Sequence, residues 1–249
     1  AARGVRTPSA RTRKPVPERA DQFVTLPGRP SDRASWVRLP EAAGTTTDGL
    51  WGRLLAGTYD KPILVEDEGR RALVFSIDGS VQSEMRLEDP CALVNEYTRK
   101  MMAFLLFNPA PRDVVMIGLG GGSLVKFLRR HVPSAQVTVV EIDANVIALR
   151  EQFLIPPDDD RLRVVHADGA ACIGRMARSG EVTDVLLVDA YDRSGIARSI
   201  ASREFLEDAR CVVGRDGVFV INLAEYESNV ERMLEMVREV FGGPVFSVR

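Results

Sequence analysis

Histidine and cysteine are scarce in this 249-residue chain: His131 and His166 are the only histidines, and Cys91, Cys172 and Cys211 the only cysteines. Two histidines exclude a histidine-rich metal site, and no metal is expected. Three widely spaced cysteines make neither a disulfide framework nor a zinc-ligand spacing, which points to a reducing, cytoplasmic setting. No apolar run approaches the length of a membrane helix; the densest, Met101–Phe107, is far too short. The basic N-terminus leads into no apolar segment, so neither a signal peptide nor a membrane partner is expected.

What is present is ordinary globular composition, 45% hydrophobic and 27% charged with a net charge of −2, enough for one sizeable core and a small extra domain. The charge is uneven. Residues 1–20 carry Arg3, Arg6, Arg11, Arg13, Lys14 and Arg19 against Glu18 alone, which leaves the remainder clearly acidic. Residues 1–45 are rich in Pro, Ser and Gly and read as a basic, mostly disordered tail, solubilising rather than nucleic-acid-binding.

Residues 46–90 read as a small antiparallel β domain. "RLLAG", "KPILVEDEG", "RRALVFSIDGS" and "VQSEMRL" alternate or cluster apolar residues between turns, and Asp78-Gly79 is a hairpin signal. "DPCALVNEYTRKMMAFLLFNP" then predicts a helix, with Asp89 as N-cap, Pro90 in the first turn and Asn108-Pro109 as the stop. Residues 91–249 form the second domain. In it, strand patterns at Val114–Ile117, Val137–Val140, Leu162–Val165, Val185–Val188 and Val218–Ile221 alternate with helical patterns at 123–130, 144–152, 170–177, 202–213 and 229–240. That alternation predicts an α/β fold, a Rossmann-like doubly wound parallel sheet covered on both faces. Such a sheet binds ligands at the carboxyl ends of its strands.

The chemistry-bearing residues fall at those ends. "GLGGGS" places Gly118, Gly120, Gly121 and Gly122 where a backbone turns sharply and can approach a ligand. "VTVVEID" ends the second strand with Glu141, twenty-three residues after Gly118, where a carboxylate suits two ribose hydroxyls. "VVHADGA" ends the third with Asp168 and Gly169; Asp168 can accept from an adenine amine. Each acid alone is equally a helix N-cap. Together they make an adenosine-binding set, more typical of S-adenosylmethionine (SAM) and its relatives than of NAD. "LLVDAYDRSG" ends the fourth strand.

This combination resembles the spermidine synthase (polyamine aminopropyltransferase) family, a SAM-methyltransferase-like fold. The resemblance implies a transferase, usually a homodimer, that moves an aminopropyl group from decarboxylated SAM, or another alkyl group from SAM, to an amine or polyamine. Carried onto this sequence, it implies Asp189 as the base, Asp192 as holding the amine or a second ammonium, and Tyr97 as positioning the attacked nitrogen. It also implies Gln82 on the donor-side wall, Glu225 on the acceptor's far amine, and Tyr191 within the acceptor site. An acidic pocket suits a cationic substrate.

The sequence also departs from the family. Its turn reads Gly-Gly-Gly-Asp-Gly-Gly, and an ungapped comparison puts Gly121 at the Asp that holds the aminopropyl amine, which leaves room there for a donor's carboxylate. Thr98 replaces a histidine of the Tyr-His-Glu-Met segment. Tyr191 and Arg193 replace smaller, uncharged residues of the Asp-Ser-Ser-Asp-Pro loop. These changes favour a second reading, SAM-dependent methylation of a small amine. A third is a nucleotide-binding relative without catalysis. NAD-dependent dehydrogenation comes last, because His131 at a helix end and His166, expected as a packed strand residue, are not placed as acid–base groups. After Val240, "FGGPVFSVR" can supply only one strand of a closing hairpin. The sequence therefore predicts a truncated chain or a sheet completed in another way, with an exposed edge unless a partner covers it.

Overall fold

A computed structural model describes residues 22–28, 36–192, 195–224 and 230–248. The first sheet is an antiparallel meander: β1 (Gln22–Pro27), β2 (Trp36–Glu41), β3 (Ile63–Asp67), β4 (Arg70–Val74) and β5 (Val81–Arg86), neighbours in chain order. A short helix, α1 (Leu50–Leu55), lies between β2 and β3. Successive strand side chains point to opposite faces, so one sheet serves two cores. Val24, Leu26, Val37, Leu39, Ile63 and Val74 pack with Leu50, Leu54 and Tyr59 on one face. Leu64, Leu73 and Met85 on the other join the core of the second sheet.

Two expectations are corrected here. Residues 22–27 and 36–41, assigned to the tail on composition, are strands; a period of two over six residues is hidden among prolines, serines and glycines. "RLLAG", read as β-like, lies in and after α1, which buries Leu50 and Leu54, four apart on one helical face. Asp78-Gly79 does lie in the turn between β4 and β5.

The helix expected from Asp89 begins later, as α2 (Glu96–Met101), and continues as a 3₁₀ turn over Met102–Leu106. Asp89 does not cap it. Its carboxylate instead accepts from Arg130 at 3.1 Å. Thr98, buried in α2, donates to the Asn95 carbonyl and closes the first turn.

The second sheet is parallel throughout. Its strands follow one another through helices: β6 (Asp113–Ile117), α3 (Ser123–His131), β7 (Gln136–Glu141), α4 (Ala144–Ala148), β8 (Leu162–His166), α5 (Gly169–Ser179) and β9 (Val185–Val188). A two-residue ladder, β10 (Tyr191–Asp192) with β11 (Gly195–Ile196), precedes α6 (Arg203–Val213), β12 (Val218–Ile221) and α7 (Val230–Phe241). The order is β12-β9-β6-β7-β8. Val114, Met116, Val137 and Val139 face α3 and the first sheet, while Val115, Ile117, Leu186 and Val188 face α5 and α6. This is the α/β architecture the strand–helix alternation predicts.

α4 is shorter than its pattern. It stops at Ala148, and Leu154 takes a left-handed conformation (φ 54°) that turns Phe153 and Ile155 into the core. Among the described residues β12 is an edge strand, no strand follows α7, and no helix is long and apolar enough to cross a membrane.

Candidate active site

Strand order reverses at β6. From there β7 and β8 run to one side, β9 and β12 to the other, and a crevice opens at the carboxyl ends around that point. Strand neighbours lie about 4.8 Å apart. Hence Asp168 after β8, Glu141 at the end of β7, the glycine turn after β6, Asp189 after β9 and Asn222 after β12 stand in a row at regular intervals. All of them border one cleft of about 1810 Å³. It exceeds an ordinary small-ligand pocket because it continues along the outer edge of β12, beneath α7 and residues 243–248.

The glycine turn is held by its surroundings. Gly118 has φ +92°, and a Cβ there would lie 2.0 Å from the Asp189 carbonyl oxygen. Only glycine fits where β6 and β9 end side by side. Gly118 and Gly120 line the cleft. Gly121 and Gly122 are buried and face the other way: a Cβ on Gly121 would meet the Ser83 hydroxyl at 2.7 Å and the Phe153 ring at 2.9 Å, and one on Gly122 would meet Ile155 at 2.4 Å. The room expected beside Gly121 is therefore filled from behind. Gly169, the first residue of α5, is buried against Ile117 and borders the cleft.

The two adenosine-side acids already hold backbone. Glu141 Oε2 accepts from the Leu119 amide and Oε1 from the Asp143 amide, both at 2.8 Å. Burial raises its pKa, and the two amides oppose that rise. The geometry orients the carboxylate and pins the glycine turn to β7, and each oxygen keeps a second lone pair for a hydroxyl. Asp168 caps α5, accepting from the Ala171 amide at 2.7 Å. The capping and ligand-facing readings thus coincide at one residue, which also borders the cleft.

Asp189 lies at the cleft floor. Its surroundings strip it of water and raise its pKa, while hydrogen bonds from Asn222 and Tyr97 pull the other way. Asn222 Nδ2 donates to Oδ1 at 3.0 Å. The Tyr97 hydroxyl lies 3.2 Å from the Gln82 carbonyl oxygen and also within hydrogen-bond reach of Asp189. Burial first, then the Asp189 charge, push the Tyr97 pKa far up, so it remains a phenol at any working pH. The Gln82 side chain bonds back to Ser80, at 3.1 Å to its hydroxyl, on the rim of the cleft.

The Tyr191 hydroxyl accepts from the Ala224 amide at 2.6 Å and lies 3.2 Å from the Asn222 carbonyl oxygen, bracing the end of β12 while its ring borders the cleft. Asp192 pairs through its backbone with Gly195. The Asp192 side chain, Arg193 and Glu225 lie outside the described residues. His166 is exposed rather than packed, with Nε2 3.0 Å from the Ile142 carbonyl oxygen.

Sequence reasoning missed Asn222, Ser83 and Ser123. Asn222 had a legible signal, since "FVIN" ends a strand in a polar residue as "VVE" and "LVD" do. The two serines had none, because they meet only when β5 crosses in front of α3. Their hydroxyls are 3.4 Å apart, and both residues line the cleft.

Comparison with known proteins matches residues 94–246 to a family model described as the spermine/spermidine synthase domain. The chain is 35% identical over 185 residues to a polyamine aminopropyltransferase of Chromobacterium violaceum, covering 74% of this chain and 70% of the relative. Among solved structures it is similar to human methyltransferase-like protein 13 in complex with SAH (26% identity, TM-score 0.54, 59% of this chain and 74% of that one). It also shares its fold with a probable spermidine synthase from Corynebacterium glutamicum (19% identity, TM-score 0.62, 74% of this chain and 70% of that one).

Proposed function

The chain belongs to the spermine/spermidine synthase family and is a transferase, and from that premise we propose that it moves an alkyl group from an adenosylsulfonium donor to an amine. One observation carries the reading: Asp168, Glu141, the glycine turn and Asp189 border a single cleft in that order. In it, Asp168 with Gly169 receives the adenine, Glu141 the ribose, and Gly118–Gly120 the sulfonium tail. The reacting carbon then falls toward Asp189.

The residues account for the chemistry. An alkylamine is protonated at neutral pH and has no lone pair to attack with. The amine enters once that proton has been lost to water; Asp189 orients it and takes the proton its nitrogen sheds on alkylation, and a raised pKa makes Asp189 the stronger base. Tyr97, kept as a phenol, accepts an N–H of the amine and aims the lone pair. The nitrogen–carbon bond forms as the carbon–sulfur bond breaks, and the electron pair stays on sulfur as a neutral thioether. Positive charge passes from sulfur to nitrogen and leaves with the proton that reaches Asp189. A cleft poor in water favours this, because a cation and a carboxylate become neutral products. Asp192 and Glu225 complete the reading as acceptor-side anions, and Gln82 as donor-side wall.

The relatives named polyamine aminopropyltransferases support aminopropyl transfer from decarboxylated SAM to a polyamine as the first form of this reaction. Methyl transfer from SAM is the second, favoured by the likeness to a methyltransferase-like protein crystallised with SAH. The reading includes a homodimer in the cytoplasm, with a small β domain ahead of a catalytic domain that begins near residue 91. The test is product analysis by mass spectrometry, with each donor offered to a panel of amines. Transfer that disappears in Asp189→Asn, with 5′-methylthioadenosine binding retained, supports the reading. Undiminished transfer in that variant overturns it.

A further inference from the structure

Tyr191 stands where the cleft changes character. To one side lies the chamber of Asp189, bordered by Tyr97, Asn222 and the backbone of Gly118. To the other, the cleft runs on as a mostly apolar trough along the outer edge of β12, where Phe219, Leu234, Val237 and Phe241 line it. Tyr191 follows Asp189 by two residues, and its backbone is held by pairing with Ile196 in the β10–β11 ladder. Its hydroxyl reaches the end of the next strand, accepting from the Ala224 amide at 2.6 Å and donating to the Asn222 carbonyl oxygen at 3.2 Å. The side chain therefore bridges the interval of about 4.8 Å between β9 and β12, beside the residue whose amide holds Asp189.

That bridge is fixed at both ends. The hydroxyl spends its one hydrogen and a lone pair on main chain. What Tyr191 offers the cleft is the ring, and the ring cannot swing aside without breaking both bonds to the end of β12. An amine held at Asp189 must extend its carbon chain away from the reacting nitrogen. The trough is an apolar surface on which such a chain would gain affinity with each methylene it buries, and the ring stands between the two.

Resting on the alkyl-transfer reading above, we propose that Tyr191 sets the length of the acceptor. It is a specificity-determining wall that keeps the acceptor's chain in the Asp189 chamber and out of the trough along β12. The acceptor is accordingly a short amine whose chain ends before the ring. A long alkylamine is refused by steric exclusion rather than by any lack of apolar surface, so removal of the ring should admit it.

The test is the dependence of transfer on acceptor length, read by mass spectrometry with propylamine, octylamine and the diamines of the same lengths, and with SAM and decarboxylated SAM each as donor. In the unaltered chain kcat/KM for the longer amines should lie at least about tenfold below that for the shorter ones, the worth of roughly two methylenes denied burial. In Tyr191→Ala the ratio of octylamine to propylamine should rise by at least about tenfold, chiefly through a lower octylamine KM. Tyr191→Leu should move it the same way by a smaller factor, a grading with side-chain size that a merely structural brace would not produce. Transfer to octylamine as efficient as to propylamine in the unaltered chain overturns this inference and leaves the alkyl-transfer reading standing, and this comparison holds whether or not the variants fold. Loss of transfer by one factor at every length in both variants, with 5′-methylthioadenosine still bound, also overturns it and makes Tyr191 a brace alone. Transfer to none of the amines by the unaltered chain overturns the alkyl-transfer reading and this inference with it.

Discussion

Asn222 Nδ2 donates to Asp189 Oδ1 at 3.0 Å, joining the ends of the adjacent strands β12 and β9. This bond stabilises the carboxylate against a burial that favours the neutral acid. Replacing Asn222 by Leu removes the opposing influence, so the Asp189 pKa should climb further. The acidic limb of the kcat/KM profile for alkyl transfer should then move to higher pH. A pH–rate series on both proteins checks this; a limb that stays still or moves down means that Asp189 does not govern the limb.

Asp189 should also exchange stability for activity. Its raised folded pKa means that the fold prefers the protonated form. The stabilising contribution is complete below the ordinary aspartate range and is lost as pH rises through the folded value. Above the ordinary aspartate range the group therefore weakens the fold. Asp189→Asn should raise Tm at pH 7, lose that advantage near pH 3, and lower kcat by about 10² or more. Thermal denaturation at both pH values, alongside the transfer assay, checks it; a lower Tm at pH 7 contradicts the assignment.

Lys126 gives the opposite slope. Desolvation lowers its pKa to about 8. Between that value and the ordinary lysine range the unfolded chain binds the extra proton, so stability should rise as pH increases from about 8 to about 10.5, by roughly 3 kcal/mol. Lys126→Met should flatten that rise. Urea denaturation across the pH range measures it, and an unchanged slope in the variant assigns the effect elsewhere.

Two glycines of one turn should tolerate alanine differently. At Gly118 the methyl would meet the Asp189 carbonyl oxygen at 2.0 Å, with φ at +92°, and that oxygen is main chain held beside the end of β6 by the Asp189 amide, which donates to the Ile117 carbonyl. Gly118→Ala should cost about 3 kcal/mol and displace Asp189. At Gly120 the nearest atom is 3.7 Å away and φ is +50°, so Gly120→Ala should cost only about 1–2 kcal/mol of left-handed backbone. Chemical denaturation of the pair tests the contrast. Equal costs would mean that the close approach of β6 and β9 is not what fixes the turn.

Much of the site was legible because its signals are local. A strand ending in Glu141, Asp168 or Asp189 is visible as a run of apolar residues stopping at an acid. The turn after β6 is visible as glycines between a strand and a helix. Where reading failed, a local cue competed with a distant one. Asp89 looks like a cap, yet Arg130 takes its carboxylate. Residues 22–41 look like tail, yet Val24 and Leu39 are buried beneath α1.

By itself, then, the sequence determined the strand–helix alternation, the glycine turn and the acids Glu141, Asp168 and Asp189 at three strand ends, because periodicity and turn chemistry act over a few residues. Only the tertiary structure decided which strands are neighbours, and so that Asn222 meets Asp189 across 33 positions and Ser83 meets Ser123 across 40. It also decided that Gly121 is walled off by Ser83 and Phe153, where its sequence position implied open space for a donor's tail. These are packing contacts between segments that share no local pattern. Their cause is the burial of two sheets against one core, which no stretch of the chain contains alone.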